Sequence, residues 1–281
     1  MKKFRKWLPA AAFVLAALAA YLLWGNFAVT VSEYTVTDEE IPAAFDGFRI
    51  VQVSDLHNAA FGKGNRRLLE KIKAAKPDMI VLTGDLIDSY HTDVEVAADF
   101  ARDAAQIAPT YYVTGNHESR LAEYALLKVQ LDAAGVERLE NEKRTLERGG
   151  ETVTLLGVDD PTFTAGWTKE KEAGIMAEAI AALSPGEGYN ILLAHKPHHL
   201  PVYAAGGIDL AFGGHMHGGQ FRIPFLGGLY APGYGFFPDY DAGMWTEGDT
   251  ALIVSRGLGN SAFPLRLNNP PELVVAQLNR P

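Results

Sequence analysis

Eight short apolar or β-branched runs recur along the chain: FRIVQVSD (48–55), MIVLTGD (79–85), TYYVTGN (110–116), TVTLLGVDD (152–160), NILLAHK (190–196), DLAFGGH (209–215), TALIVSRG (250–257) and ELVVAQL (272–278). This rhythm constrains the fold more than any other feature, because each run has the length and composition of a buried strand. Between the early runs lie stretches with apolar residues at the helical period, over 65–76, 94–107, 119–134 and 169–183. Strands alternating with helices predict an α/β layered domain with crossover connections. In such sheets ligands bind beyond the carboxyl ends of the strands. Most of the first six runs end there in Asp, Asn or His.

Length and composition are consistent with that reading. The 281 residues, 48% of them hydrophobic, can hold one large α/β domain or two small ones with a sizeable core. Nothing in residues 46–281 resembles a repeat, a low-complexity tract or a linker, so this stretch reads as one domain. The formal net charge is −9, and four cations (Lys2, Lys3, Arg5, Lys6) stand in the first six residues, which leaves −13 on the remainder. An acidic body argues against nucleic acid as a partner, since backbone binding needs Lys and Arg to neutralise phosphates. There is no Cys, which excludes thiolate metal sites, thiol nucleophiles and disulfides. No feature fixes an oligomeric state.

Behind the basic MKKFRK, residues 7–24 carry no charge and are long enough to cross a bilayer at about 1.5 Å per residue. Residues 1–25 therefore read as a membrane anchor, with the basic end inside and the body on the extracytoplasmic face. Ala17-Leu18-Ala19 also fits a signal cleavage site, which would give a secreted protein, but Tyr21 to Trp24 prolong the apolar run past it. Residues 26–45 read as a tether and lead-in strand. Residues 218–240, rich in Gly, Pro and aromatics, read as a long ordered loop beside the site.

Five elements carry the chemistry: Ser54-Asp55-Leu56-His57, Gly84-Asp85, Gly115-Asn116-His117-Glu118, His195 and Gly214-His215-Met216-His217. On an extended segment Asp55 and His57 point to the same side and can hold one ion, and His215 and His217 repeat that spacing. Mixed imidazole and carboxylate donors suit Mn, Fe or Zn. Asp85, with two free carboxylate oxygens, is the natural bridge between two ions about 3.5–4 Å apart. Gly-Asp alone is commonly a turn, and Glu118 or Ser119 alone could simply cap the helix at 119. Five such elements at strand ends together outweigh those readings.

The ordered set D-L-H, G-D, G-N-H-E, H, G-H-M-H resembles the calcineurin-like metallophosphoesterase superfamily over about residues 48–217. GHMHGGQFRIPFLGGLYAPGYGFF and VSRGLGNSAFPLRLNNPPELVV resemble its membrane-linked bacterial YaeI/YkuE-like phosphodiesterase branch. The resemblance implies a four-layer α/β/β/α sandwich behind an N-terminal transmembrane helix. It implies two divalent metal ions, one held by Asp55, His57, Asp85 and His217, the other by Asp85, Asn116, His195 and His215. His117 would lie near the phosphate as the proton donor, and the implied activity is phosphodiester hydrolysis. One departure is Asn58-Ala59-Ala60, where many members have a Leu-Gly pair; it falls after the ligands, so it bears on substrate contacts and leaves the metal site alone. The anchor and aromatic loop make a lipid or cell-wall phosphodiester the expected substrate. A phosphomonoesterase, including a phosphoprotein phosphatase, and a catalytically silent metal-binding membrane protein remain as alternatives.

Overall fold

A computed structural model describes residues 8–166, 168–231, 233–260 and 263–281; the basic cluster Lys2 to Lys6 lies outside them. Helix α1 (Leu8–Phe27) is followed after two residues by strand β1 (Thr30–Thr37). The alternating strands and helices then run β2 (Arg49–Val53), α2 (Arg66–Ala74), β3 (Met79–Thr83), α3 (Val94–Ala105), β4 (Thr110–Val113), α4 (Tyr124–Ala133) and β5 (Glu137–Arg138). The second half runs β6 (Glu142–Arg148), β7 (Glu151–Gly157), α5 (Thr162–Ala165), α6 (Lys169–Leu183), β8 (Asn190–Leu193), α7 (Leu200–Ala205) and β9 (Leu210–Gly213). Two small ribbons follow, β10 (Arg222–Ile223) with β11 (Gly227–Gly228), and β12 (Tyr230–Ala231) with β13 (Gly235–Phe236). The chain closes with β14 (Gly243–Glu247), β15 (Thr250–Val254) and β16 (Glu272–Asn279).

These strands form two six-stranded sheets, ordered β1-β16-β2-β3-β4-β5 and β14-β15-β9-β8-β7-β6. In each, the central strands are parallel and buried on both faces, which is why their sequences are continuous apolar runs with no alternation. Three hydrophobic clusters mark the layers. Ile50, Val81, Val113, Leu155, Ile191, Phe212 and Ile253 fill the space between the sheets. Leu68 and Ile72 of α2, Ala97 and Phe100 of α3, and Leu127 and Leu131 of α4 cover the outer face of the first sheet. Met176 and Ile180 of α6 and Tyr203 of α7 cover the second. The result is the expected four-layer α/β/β/α sandwich.

The differences from the sequence reading have local causes. The single helix expected over 119–134 is split into a 3₁₀ turn (Glu118–Arg120) and α4, because Leu121 is extended at φ −119, ψ 125. Strand β6, EKRTLER, is too charged to read as a strand; it is an edge, where one face and one rim meet water. Within residues 26–45 the lead-in strand expected there is β1, which forms the edge of the first sheet and pairs in parallel with β16 from Thr30 opposite Glu272 to Thr37 opposite Asn279. Among the described residues one helix, over Ala10–Phe27, is long and apolar enough to cross a membrane, and it is almost wholly exposed.

Candidate active site

Past the ends of β2 and β3 the chain turns and its backbone keeps pairing. Asp55 N–H donates to Gly84 O (3.0 Å), His57 N–H to Asp85 O (3.0 Å) and Asn58 N–H to Leu86 O (3.1 Å). These turns need unusual backbone. Asp55, His57, Asp85, His215 and His217 all have φ between 45° and 68°. A left-handed non-glycine residue costs about 1–2 kcal/mol, so five of them in one place are the strained geometry typical of a functional centre. The extended Asp55–His57 segment expected from the spacing is thus absent; the two side chains converge from left-handed turns.

Two tight clusters result, Asp55 with His57 and His217, and Asp85 with His195 and His215. His215 and His217, expected to hold one ion together, part to opposite clusters, because both are left-handed around Met216. The split matches the sets that the family resemblance implies. Asp85 Oδ2 lies 3.1 Å from His195 Nε2 and 3.7 Å from His57 Nε2, so one carboxylate faces both clusters. Asn116 is buried, and its Oδ1 has no hydrogen-bond partner.

This donor set fits a pair of divalent cations. His57 Nε2 and His217 Nε2 stand 3.2 Å apart, as do His195 Nε2 and His215 Nδ1. Around a cation with bonds of about 2.1 Å, neighbouring ligand nitrogens fall about 3.0–3.4 Å apart. His195 directs its Nδ1 at Thr83 O (2.8 Å), which leaves Nε2 free to ligate.

Electrostatics point the same way. Burial pushes His57 and His215 well below the usual imidazole value, and burial with Arg266 lowers His217 to about 4 against the pull of Asp55, so these rings are neutral and competent to ligate. Burial also acts on Asp85 and His195, but their mutual attraction outweighs it, lowering Asp85 well below the carboxylate range and raising His195 to about 10.

His117 sits against His57 edge-on, with ring centroids 4.5 Å apart. The Ser89 N–H donates to His117 Nδ1 at 3.0 Å, and Asp88 Oδ1 is 3.4 Å from the same nitrogen. Burial lowers this ring, but Asp85 and Asp88 prevail and the net shift is upward. Asp88 and Ser89 were not singled out from sequence; Asp88, the next acid after Asp85 in GDLID, was the available signal.

Glu118 does far more than cap a helix. Its buried carboxylate accepts from the N–H groups of Gly115 (2.8 Å), Asp85 (3.0 Å), Leu86 (2.8 Å) and Ile87 (3.4 Å), tying the loops after β3 and β4 together. Burial and the neighbouring Asp85 push it up to about 7. Close packing enforces the same geometry at Gly214, where a Cβ would fall 1.9 Å from Ser54 Oγ and 2.3 Å from Asp55 Oδ2.

Arg266, fully buried, is a strut behind the site. Its guanidinium donates to the carbonyls of Arg256 and Gly259 and lies 3.4 Å from His217 Nδ1. Its backbone N–H meets Asn26 Oδ1 of α1 at 2.8 Å, and Asn26 Nδ2 returns to Arg266 O at 3.2 Å. The end of α1 is thereby fastened one residue away from the metal-ligand cluster. Arg256 pairs with Glu272 at 3.0 Å. His91 is exposed on the surface.

The 218–240 segment is ordered by Asp241, which accepts from Gly228 N–H and Arg222 (3.0 Å). Phe221 packs on Phe263, but Phe225, Leu226, Tyr230, Phe236 and Phe237 are exposed. Ile223, Pro224 and Phe225 line a groove together with Tyr21 and Trp24 of α1. On the other side of α1, Leu22, Leu23 and Phe27 enclose a cavity of about 300 Å³ with Ala59, Ala60 and Leu258. Gly259, on the same wall, abuts Leu56 and His57.

Comparison with known proteins agrees with this geometry. The family model for the calcineurin-like phosphoesterase matches residues 48–219. The chain is 31% identical over 255 residues to the uncharacterized metallophosphoesterase YkuE of Bacillus subtilis, covering 89% of this chain and 85% of that one. It is 30% identical over 243 residues to phosphodiesterase YaeI of Escherichia coli, covering 82% of each. A zebrafish (Danio rerio) transmembrane protein with metallophosphoesterase domain is 28% identical over 273 residues, 94% of this chain and 60% of its own. Among solved structures, a Thermus sulfate thiohydrolase, SoxB, superposes with a TM-score of 0.50 at 15% identity, over 85% of this chain and 57% of that one, a likeness of fold alone. The fold, the paired Asp/His clusters and these relatives together make the chain a member of the calcineurin-like phosphoesterase family.

Proposed function

We propose that the protein is a dinuclear phosphodiesterase that hydrolyses a lipid-borne phosphodiester at the extracytoplasmic membrane surface, anchored by α1. The observation that carries this reading is the apolar cavity between α1 and the loop that bears Asp55 and His57. Its lining includes Ala59 and Ala60, which stand where many family members have a Leu-Gly pair, and their small side chains leave room for an acyl or prenyl chain. Phe225 adds apolar surface beside the helix, and Leu226, Phe236 and Phe237 of the same segment are also exposed.

Asp55, His57, Asp85 and His217 would hold one cation, and Asp85, Asn116, His195 and His215 the other. When bound, such cations acidify water and stabilise charge on phosphoryl oxygens. The protein's own residues do the rest. Thr83 O and the Gly84 turn set the His195 and Asp85 donors in place. Asp85 and Asp88 favour the protonated ring of His117, which would give a proton to the departing alkoxide and return to the neutral imidazole.

The test compares a detergent-dispersed glycerophospholipid with bis-p-nitrophenyl phosphate and p-nitrophenyl phosphate, in the parent and in Ala60→Leu, which fills the cavity. Selective loss of lipid turnover in Ala60→Leu, with bis-p-nitrophenyl phosphate unchanged, is the expected result. Equal turnover of lipid in both proteins would remove the lipid, and preference for the monoester would make the protein a phosphomonoesterase.

A further inference from the structure

A second group of metal-capable side chains lies outside the paired clusters, on the α6 side of the sandwich. Glu172 of α6 and His198 and His199, in the turn between β8 and α7, bring Oε2 and two Nε2 atoms together, with Oε2 3.5 Å from each nitrogen. Glu172 and His199 are buried, and neither Glu172 Oε2 nor His199 Nε2 has a hydrogen-bond partner. A buried carboxylate oxygen and imidazole nitrogen that face one another without bonding need a third party.

The lysine beside this pair is committed to other partners. Lys196 Nζ is already taken by Glu172 Oε1 (2.6 Å), Thr162 Oγ1 (2.9 Å) and Asp160 Oδ1 (3.4 Å). Two carboxylates, Glu172 and Asp160, face this one ammonium, so the pocket keeps an excess negative charge. The Tyr234 hydroxyl lies nearer His198 Nδ1 (2.9 Å) than Nε2 (3.3 Å), which leaves Nε2 directed at Glu172. Burial lowers His198 to about 4, so the ring is neutral.

We propose that Glu172, His198 and His199 form a third metal site, which takes one tetrahedral divalent cation of the zinc type. With bonds of about 2.0–2.2 Å, the ligand atoms of such a cation lie about 3.3–3.6 Å apart, and Glu172 Oε2 stands 3.5 Å from each imidazole nitrogen. Oxygen and imidazole donors without thiolate suit zinc and its neighbours. The cation fastens α6 to the segment that begins at His195, three residues before His198. Tyr234, which stacks edge-on to His215 with centroids 5.4 Å apart and packs on His198 at 4.8 Å, joins the two sites. The proposal does not depend on which phosphoester the paired clusters hydrolyse.

Full-length, detergent-solubilised protein is stripped with a chelator, reloaded with Zn²⁺, freed of unbound metal and assayed for zinc per chain. The parent is expected to retain three equivalents, and His199→Gln and His198→Asn two each. Asp85→Asn, which disturbs only the paired clusters, keeps the zinc held by His198 and His199, so a failure of the dinuclear reading is told apart from a failure of this one. Cobalt reports the same site by its tetrahedral visible absorption, which His199→Gln and His198→Asn should lose and Asp85→Asn keep. Equal zinc content in the parent, His199→Gln and His198→Asn would overturn the proposal.

Discussion

Glu118→Gln isolates a residue that touches no candidate metal ligand atom with its side chain yet holds the loops that carry them. The carboxylate receives four backbone N–H groups, two on each oxygen. A glutamine can present one carbonyl oxygen to one pair; its NH₂ must then face the other pair of donors. Two buried N–H groups lose a charged acceptor, at about 1.5–3 kcal/mol each, so the loss is about 3–6 kcal/mol. For a domain of this size that corresponds to a fall in Tm of about 6–24 °C. The assay is thermal unfolding of the detergent-solubilised, cation-loaded protein at pH 8, with metal content measured alongside. A Gln variant within about 1 kcal/mol of the parent that retains its metal would refute the role assigned to Glu118. The same group gives a pH signature. Because its folded value is raised to about 7, metal-free protein should lose stability as pH climbs from the ordinary carboxylate range through 7. Cation binding, which neutralises Asp85, should flatten that slope.

Replacing His117 by Ala should lower turnover of an alkyl phosphodiester by about 10²–10⁴ but affect bis-p-nitrophenyl phosphate far less, since nitrophenolate leaves without a proton; equal losses would remove the proton-donor role. Gly214→Ala should abolish retention of the paired cations, read by elemental analysis, because the new methyl group overlaps Ser54 and Asp55. His195, held near 10 by Asp85, is protonated at neutral pH and must lose that proton to ligate. Loading stripped protein at pH 7 should therefore release protons, seen as buffer-dependent heat in calorimetry, and apparent affinity should rise with pH up to about 10.

The strands and the ligands were legible for one reason: a buried parallel strand must be a continuous apolar run, and the residue after it is free to be polar. Val53-Ser54-Asp55 and Leu82-Thr83-Gly84-Asp85 show the transition within three residues. Features that depend on the meeting of distant segments were not legible. Nothing near Arg266 in sequence announces that its partners are Asn26, Gly259 and His217. The Glu118 network likewise depends on the loop after β3 arriving beside the loop after β4. Nothing in the sequence around His198 and His199 points to Glu172, which lies 26 residues before His198 on another element. Charged β6 and the exposed β14 lack the apolar signature because edge strands meet water on one side.

The pairing of β1 with β16 also has a consequence for how the molecule is assembled. The second strand of the chain's first sheet, counted from its edge, is its last to be synthesised: Thr30 waits for Glu272. Contacts of such large sequence separation form late and slowly. The β1 edge accordingly stays open until β16 has been made. Losing the last ten residues would thus cost more than a strand. It would leave β1 and β2 unjoined, exposing the backbone edges of both strands close to the end of α1.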